Sequence, residues 1–507
     1  MQSVSAVPMT NATPNSRHLE GLLGQLATRL EVEGIRYTHW KGSFDAEHVV
    51  TGEGDLDLLV DRKDIARFEW VLASLGFKRA VDSLQPHTPS VFHCYGLDPL
   101  RGTLIHLHVY YQLVTGESLL ENYCLPLEEL ALGNVHAVNG MPVTQPFAAL
   151  VLFVIRIMAR YATIIEHFVI RTDKKSLNAK LQLLLADEWQ ATTAQLLQEW
   201  LPGVPAPLFQ ECVEALRSKA SLFRLTLLAR RLRRCLRGFR RFSLLAEAYH
   251  RMKILLQRGF WRLHCRSGSR KDLIAGGAVI AFIGLDASGK STLMRETAAW
   301  LGKVFRLDAE HLGKPPSAWL TLLPNLARRL VAWLAPHLRM SARQDGCTAN
   351  SGSKGGLLYR LRMVMLAWDR RALALRLRRK AANGWIVLCD RYPSAQVGAI
   401  DGAALPLPAA GAAGGLKGNL ARLENRLYRQ IASPDIVIRV VAPAEVAVER
   451  NRQRREPGKE KSDSYVAYNH RNVNLPAFLS AHTVELDTNR SRADTVQHLR
   501  GILWQLL

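Results

Sequence analysis

The residues from Gly284 to Ser291 read Gly-Leu-Asp-Ala-Ser-Gly-Lys-Ser, a complete phosphate-binding loop of the form Gly-x-x-x-x-Gly-Lys-Ser/Thr. Such a loop turns backbone N–H groups toward a polyphosphate, so Gly284, Asp286, Ala287, Ser288, Gly289, Lys290, Ser291 and Thr292 are the expected ATP contacts. Lys290 is expected to reach the outer phosphates, and the Ser291 hydroxyl to ligate Mg²⁺. A hundred residues on, the apolar run Trp385-Ile-Val-Leu-Cys389 ends in Asp390, a carboxylate that would stand beside the same Mg²⁺. Arg391 follows, with a fork of N–H donors suited to an acceptor phosphate. Arg452, Arg454 and Arg455 form a dense basic segment that could close over a transferring phosphoryl group as a lid and stabilise its charge. A second constellation lies near the start. Gly42-Ser43 is followed after a spacer by Asp55-Leu-Asp57. Two carboxylates two apart on a strand share a face and could hold divalent metal against a nucleotide triphosphate.

These residues need elements to position them. Ala278–Ile283 is an apolar, β-branched run of the kind buried in a parallel sheet, and the residues after Ser291 have helical spacing. Strand, glycine loop and helix N-terminus together make an anion site. Further strands are expected near Phe305–Ala309, at Trp385–Cys389, at Asp435–Val441 and at Thr483–Leu486, with helices between them. A chain of 507 residues is too long for a single core. The expected order is a disordered tail (1–17), an α+β domain (18–140), a helical basic connector (141–271) and an α/β P-loop domain with a parallel sheet flanked by helices (272–507). Residues 402–418, rich in Gly, Ala and Pro, read as a mobile loop. The stretch from Pro146 to Ile165 is the most apolar. Arg156 and Arg160 interrupt it, and it reads as a buried helix.

The C-terminal region resembles thymidylate kinase and its relatives. That family's loop is matched at Gly284, Asp286, Gly289, Lys290, Ser291 and Thr292, its Asp-Arg-Tyr motif at Asp390-Arg391-Tyr392, and its Ala-x-Asp-Arg helix at Ala367-Trp368-Asp369-Arg370. Its segment ahead of the lid is matched by Ala444 to Arg450. The resemblance implies an ATP- and Mg²⁺-dependent kinase acting on a nucleoside monophosphate or a related phosphorylated small molecule. Lys290, Asp390, Arg391 and the lid arginines would be catalytic; Asp286, Arg370, Arg391 and Tyr392 would contact the acceptor. After Tyr392, Pro393 to Gly402 has a Gln and no second Tyr, which leaves the acceptor open.

The N-terminal pattern resembles the DNA polymerase beta-type nucleotidyltransferases, which implies a metal and nucleotide site at Gly42, Ser43, Asp55 and Asp57. Where that superfamily has a third carboxylate, the strand Thr103–Tyr111 offers His106 and His108. Two alternatives to the kinase reading follow: nucleotidyl transfer by the N-terminal domain, or nucleotide sensing without catalysis.

The net charge of +23 points to anionic partners. Between Ser221 and Lys271 there are fifteen Lys/Arg and one acid, Glu247, interleaved with leucines. This is a candidate contact for an anionic membrane or nucleic acid, or a solvated helix face. A second copy of the chain is a further expected partner. Seven dispersed cysteines without a C-x-x-C pair, and no apolar leader, suggest a cytoplasmic protein with reduced thiols.

Overall fold

The computed structural model of the chain describes residues 19–41, 49, 54–82, 88–117, 120–161, 174–185, 189–218, 220–264, 270–313, 315–316, 356–397, 399–408, 415–453, 461–473, 475–479 and 482–507. The expected tail at 1–17, Gly42, Ser43, Arg454, Arg455 and part of the 402–418 loop lie outside them. The chain forms two compact units, Met1–Ser269 and Arg270–Leu507.

Unit 1 contains α1 (Gly21–Val32), β1 (Tyr37–His39), β2 (Asp55–Val60), α2 (Ile65–Ser74), β3 (Lys78–Asp82), β4 (Val91–Asp98) and β5 (Thr103–Tyr110). The short strands β6 (Leu113–Thr115) and β7 (Tyr123–Leu125), α3 (Glu128–Gly133), β8 (Val135–Val138) and β9 (Met141–Thr144) follow. The unit ends in helices α4 (Pro146–Arg160), α5 (Lys174–Leu184), α6 (Trp189–Trp200), α7 (Ala206–Arg217), α8 (Leu222–Cys235) and α9 (Leu244–His264).

Its sheet has the order β3-β4-β5-β2-β1-β9-β8. The strand β2 pairs parallel to β5 and antiparallel to β1. Period-2 alternation sets the faces of β2. Leu56, Leu58 and Val60 join one core with Leu23, Leu26 and Leu30 of α1 and Phe68 of α2. Asp55, Asp57 and Leu59 therefore share the other face, and Leu59 joins a second core with Trp40, Tyr110 and buried residues of α4, α6, α7 and α8. The helices expected as a connector thus contribute to the core of unit 1. The apolar α4 is buried, as its composition suggests, and among the described residues no helix is long and apolar enough to cross a membrane.

Unit 2 contains β10 (Lys271–Leu273), β11 (Ala278–Gly284), α10 (Lys290–Leu301), β12 (Leu307–His311), α11 (Leu357–Ala382), β13 (Ile386–Asp390), α12 (Gly415–Arg429) and β14 (Ile436–Val441). It closes with α13 (Ala444–Arg452), α14 (Asp463–Asn472), β15 (His482–Asp487) and α15 (Arg492–Leu506). Five strands make a parallel sheet in the order β12-β13-β11-β14-β15. The expected strands appear within two residues of their sequence positions. The central β11 is buried along Val279–Ile283. The chain leaves β11 for β12 and β13 on one side and then crosses from β13 to β14 on the other, and this switch beside β11 puts a crevice at the carboxyl ends of the strands.

Candidate functional site

That crevice is lined by the residues that follow β11, β12, β13 and β14. After β11 the chain must turn sharply into α10. Gly284 cannot carry a side chain, because a Cβ there would lie 2.4 Å from the Val440 carbonyl oxygen. Gly289, the N-cap of α10, has φ +98°, a left-handed conformation that favours glycine. Ala287 also has positive φ, +64°. Lys290 is buried and its ammonium donates to the Leu285 carbonyl within the loop. The Ser288 hydroxyl is buried without a protein partner, and Thr292 N–H donates to Gly289 O at 3.1 Å.

The loop meets the carboxylate at the end of β13 through Ser291. Ser291 Oγ donates to Asp390 Oδ2 at 2.9 Å. The other carboxylate oxygen, Oδ1, is buried without a hydrogen-bond partner. A buried carboxylate oxygen left unpaired costs about 1–3 kcal/mol, so its persistence fits a position that serves a ligand. An oxygen-seeking Mg²⁺ suits this pair of donors, since Mg²⁺ at phosphoryl sites takes one or two protein oxygens and leaves the rest to water and phosphate. His311, at the end of β12, brings Nδ1 to 3.0 Å from the Asp390 carbonyl oxygen.

Arg391 has φ +66°, an unusual conformation for a side-chain-bearing residue. Its N–H donates to Phe282 O at 3.0 Å, which holds the turn. The guanidinium reaches Asp286 Oδ1 at 3.1 Å and Asp401 Oδ2 at 3.3 Å. Asp286 also receives the Lys461 ammonium, and its carbonyl lies 2.7 Å from His470 Nε2. Burial alone would raise the Asp286 carboxyl, but Lys461 and Arg391 outweigh it and hold the carboxyl below the usual range.

Two residues expected at the acceptor are used elsewhere. Arg370 is only 5% exposed, and its guanidinium is consumed by the protein. It donates to Leu312 O (3.1 Å), Gly313 O (3.1 Å), Asp401 O (3.1 Å), Asp401 Oδ1 (2.9 Å) and Tyr428 Oη (2.7 Å). A planar fork with five donors met this way positions the 312–313 and 401 turns and has none left for a substrate. Tyr392 turns into the core, donates to Ala432 O at 2.8 Å and packs edge-on to Phe478. Burial raises its phenol above its usual range. Arg452, at the end of α13, is exposed and paired with Asp463 at 2.7 Å.

Sequence reasoning missed Arg450, Lys461, Asp401 and Thr488. Arg450 donates to Thr488 Oγ1 at 2.9 Å and to Thr488 O at 2.7 Å, and its Nη1 stands 3.9 Å from where a Cβ on Gly289 would be. Thr488 Oγ1 is in turn 3.2 Å from Ser288 O, so the end of β15 ties Arg450 to the loop. Arg450 closes the Ala444–Arg450 segment, which was a usable signal.

In unit 1 the parallel register sets Asp55 beside His106 and Asp57 beside His108. His106 Nδ1 bonds to Asp55, and His93 Nδ1 lies 2.9 Å from His106 Nε2. Asp57 accepts from the Lys41 ammonium, and His108 Nδ1 is 3.3 Å away. Burial would raise the Asp57 carboxyl, yet Lys41 and His108 hold it far below the usual range. Gly42 and Ser43, expected beside Asp55 and Asp57 at a metal and nucleotide site, lie outside the described residues. Both carboxylates are turned to an ammonium or an imidazole, and among the described residues no group of three or more His, Cys, Asp and Glu could hold a metal ion.

The geometry defines unit 2 as a mixed α/β body with a parallel sheet flanked by helices and a nucleotide-type loop at its switch point, consistent with a P-loop fold. Over 179 residues, 34% of its length and 68% of the relative, the chain is 27% identical to the uncharacterized ATP-binding protein YghR of Escherichia coli K12. The YghR protein of Escherichia coli O6:H1 matches equally. Among solved structures the chain is similar to thymidylate kinase from Ehrlichia chaffeensis, with 15% identity, a TM-score of 0.23, and coverage of 45% of this chain and 98% of that one. Another neighbour, APE1195, is 18% identical at a TM-score of 0.23, covering 46% of this chain and 96% of its own. No protein-family model matches the chain.

Proposed function

We propose that unit 2 is an ATP-dependent phosphotransferase whose acceptor is a nucleoside monophosphate or a related phosphorylated small molecule. One observation carries this reading: Ser291 and Asp390 meet at 2.9 Å with Asp390 Oδ1 left unpaired, and Arg391 on the next residue is turned into the same crevice. The relative named for ATP binding adds support on the donor side.

In this reading the N–H groups of residues 286–291 cradle the donor phosphates, and Lys290 leaves the Leu285 carbonyl to neutralise the outer phosphates. Mg²⁺, held by Ser291 and Asp390, would supply charge neutralisation between the phosphates. Arg391 exchanges an ion pair with Asp286 for the acceptor phosphate. Release of Asp286 leaves a carboxylate able to accept a hydrogen bond from an acceptor hydroxyl. Arg450 stands near Gly289 to contact the donor nucleotide.

The test is ADP release from ATP and Mg²⁺ in the presence of a panel of nucleoside monophosphates and sugar phosphates. At least one should accelerate release, and Lys290→Ala should lower kcat/KM on the order of 100-fold or more, as for loss of a charge-stabilising donor. A panel without any stimulation, with ATP bound tightly, would favour nucleotide sensing instead.

A further inference from the structure

Helix α9 is amphipathic in the reverse of the usual sense. Its inward side carries the buried Glu247 and Ile254. Glu247 Oε1 accepts from Arg233 at 3.0 Å and from Arg251 at 2.9 Å, and Arg251 also donates to Glu117 at 2.8 Å. Ile254 packs with Leu120. The outward side is apolar. Leu245, Tyr249, Met252 and Leu256 are 85%, 65%, 58% and 67% exposed. Their spacing of four, three and four residues places them on one face, and that face runs for about 16 Å. Soluble helices bury such stripes. The neighbouring α8 does so, with Leu225, Leu228 and Leu232 in the core.

The surroundings select what could cover the stripe. Between Ser221 and His264 the single acid, Glu247, is buried in its ion pairs, while Arg224, Arg230, Arg234, Arg237 and Lys253 are exposed. A second copy meeting this face would set cations against cations. RNA would satisfy the cations but has no use for a row of leucines. An anionic bilayer satisfies both, since acyl chains accept the apolar stripe and headgroups accept the basic flanks. We propose that α9 docks on the surface of a membrane carrying anionic lipid. The inference is independent of the activity assigned to unit 2.

The test uses the full chain and co-sedimentation with vesicles of phosphatidylcholine alone or with about 30% phosphatidylglycerol. Binding is expected only to the second kind, and it should weaken as salt rises from about 50 to 500 mM. Leu245→Glu with Leu256→Glu should reduce vesicle binding at least about tenfold, with circular dichroism and ATP binding unchanged. Lack of binding to the anionic vesicles at low salt, or undiminished binding by the double variant, overturns the proposal. So does a wild-type dimer in light scattering that the same substitutions convert to monomer, because the face would then join two copies.

Discussion

Asp401 holds two arginines with different duties. Its Oδ1 and carbonyl serve the buried Arg370, and its Oδ2 serves Arg391 in the crevice. Asp401→Ala should leave ATP affinity within about twofold and raise the acceptor KM tenfold or more, because a bidentate phosphate contact tolerates little misplacement. Steady-state kinetics with each substrate varied in turn would check this, and an unchanged acceptor KM would show that Arg391 is positioned without Asp401. A second residue-level expectation concerns acid. The folded-state value of Asp286 is depressed, so its contacts with Lys461 and Arg391 contribute stability above the unfolded value of about 4. That contribution is lost as pH falls through the lower folded value. In urea titrations from neutral to acid pH, the stability gap between wild type and Asp286→Asn should narrow as pH drops below about 4. A gap that stays constant would mean that the Asp286 pairs contribute nothing to the fold. At this scale the loop and Asp390-Arg391 were legible, because a glycine spacing and a carboxylate after an apolar run are local signals. Arg370 and Tyr392 were misread, because a motif fixes residue type and not the direction in which a side chain turns. Asp401 was hidden because its partners are 10 and 31 residues away.

The elements show the same division. Apolar runs predicted β11, β13 and β14, since buried parallel strands are nearly continuous in Val, Ile and Leu. The edge strand β12, Leu-Asp-Ala-Glu-His, carries little such signal, and it begins two residues later than its sequence suggests. In the basic region the leucines of α8 and α9 look alike in sequence but behave oppositely, because only the fold decides which stripe finds a partner. Leu232→Ala, at a fully buried position on α8, should cost about 2–5 kcal/mol. Leu245→Ala on α9 should stay within about 0.5 kcal/mol of wild type. Chemical denaturation of both variants decides between this assignment and one in which the α9 stripe is also covered in the isolated protein, for which the two losses would be similar.

At the scale of the whole molecule, each unit has a core of its own. In unit 1 the cores lie on the two faces of one mixed sheet and draw in helices α4 to α8. In unit 2 strands β11, β13 and β14 pack with α11 around Val279, Ala281, Val387 and Val437. Every contact described for the phosphate loop, from Asp390 to Arg450 and Thr488, comes from within residues 270–507. That closure leads to an expectation for the isolated half. Residues 270–507 expressed alone should unfold cooperatively and be stabilised by ATP with Mg²⁺, by about 2.7 kcal/mol at a hundredfold excess over Kd. Lys290→Ala in the same fragment should erase the shift without lowering the unliganded melting temperature by more than a few degrees, since its ammonium donates to a carbonyl of the phosphate loop itself. Residues 1–269 alone should melt at the same temperature with or without ATP if the Lys41–Asp57 pair and the histidines beside it leave no metal-dependent nucleotide site. A clear ATP-dependent rise in that fragment would instead restore nucleotidyl transfer as an activity of the N-terminal half, and Asp57→Asn would then be the variant expected to remove it.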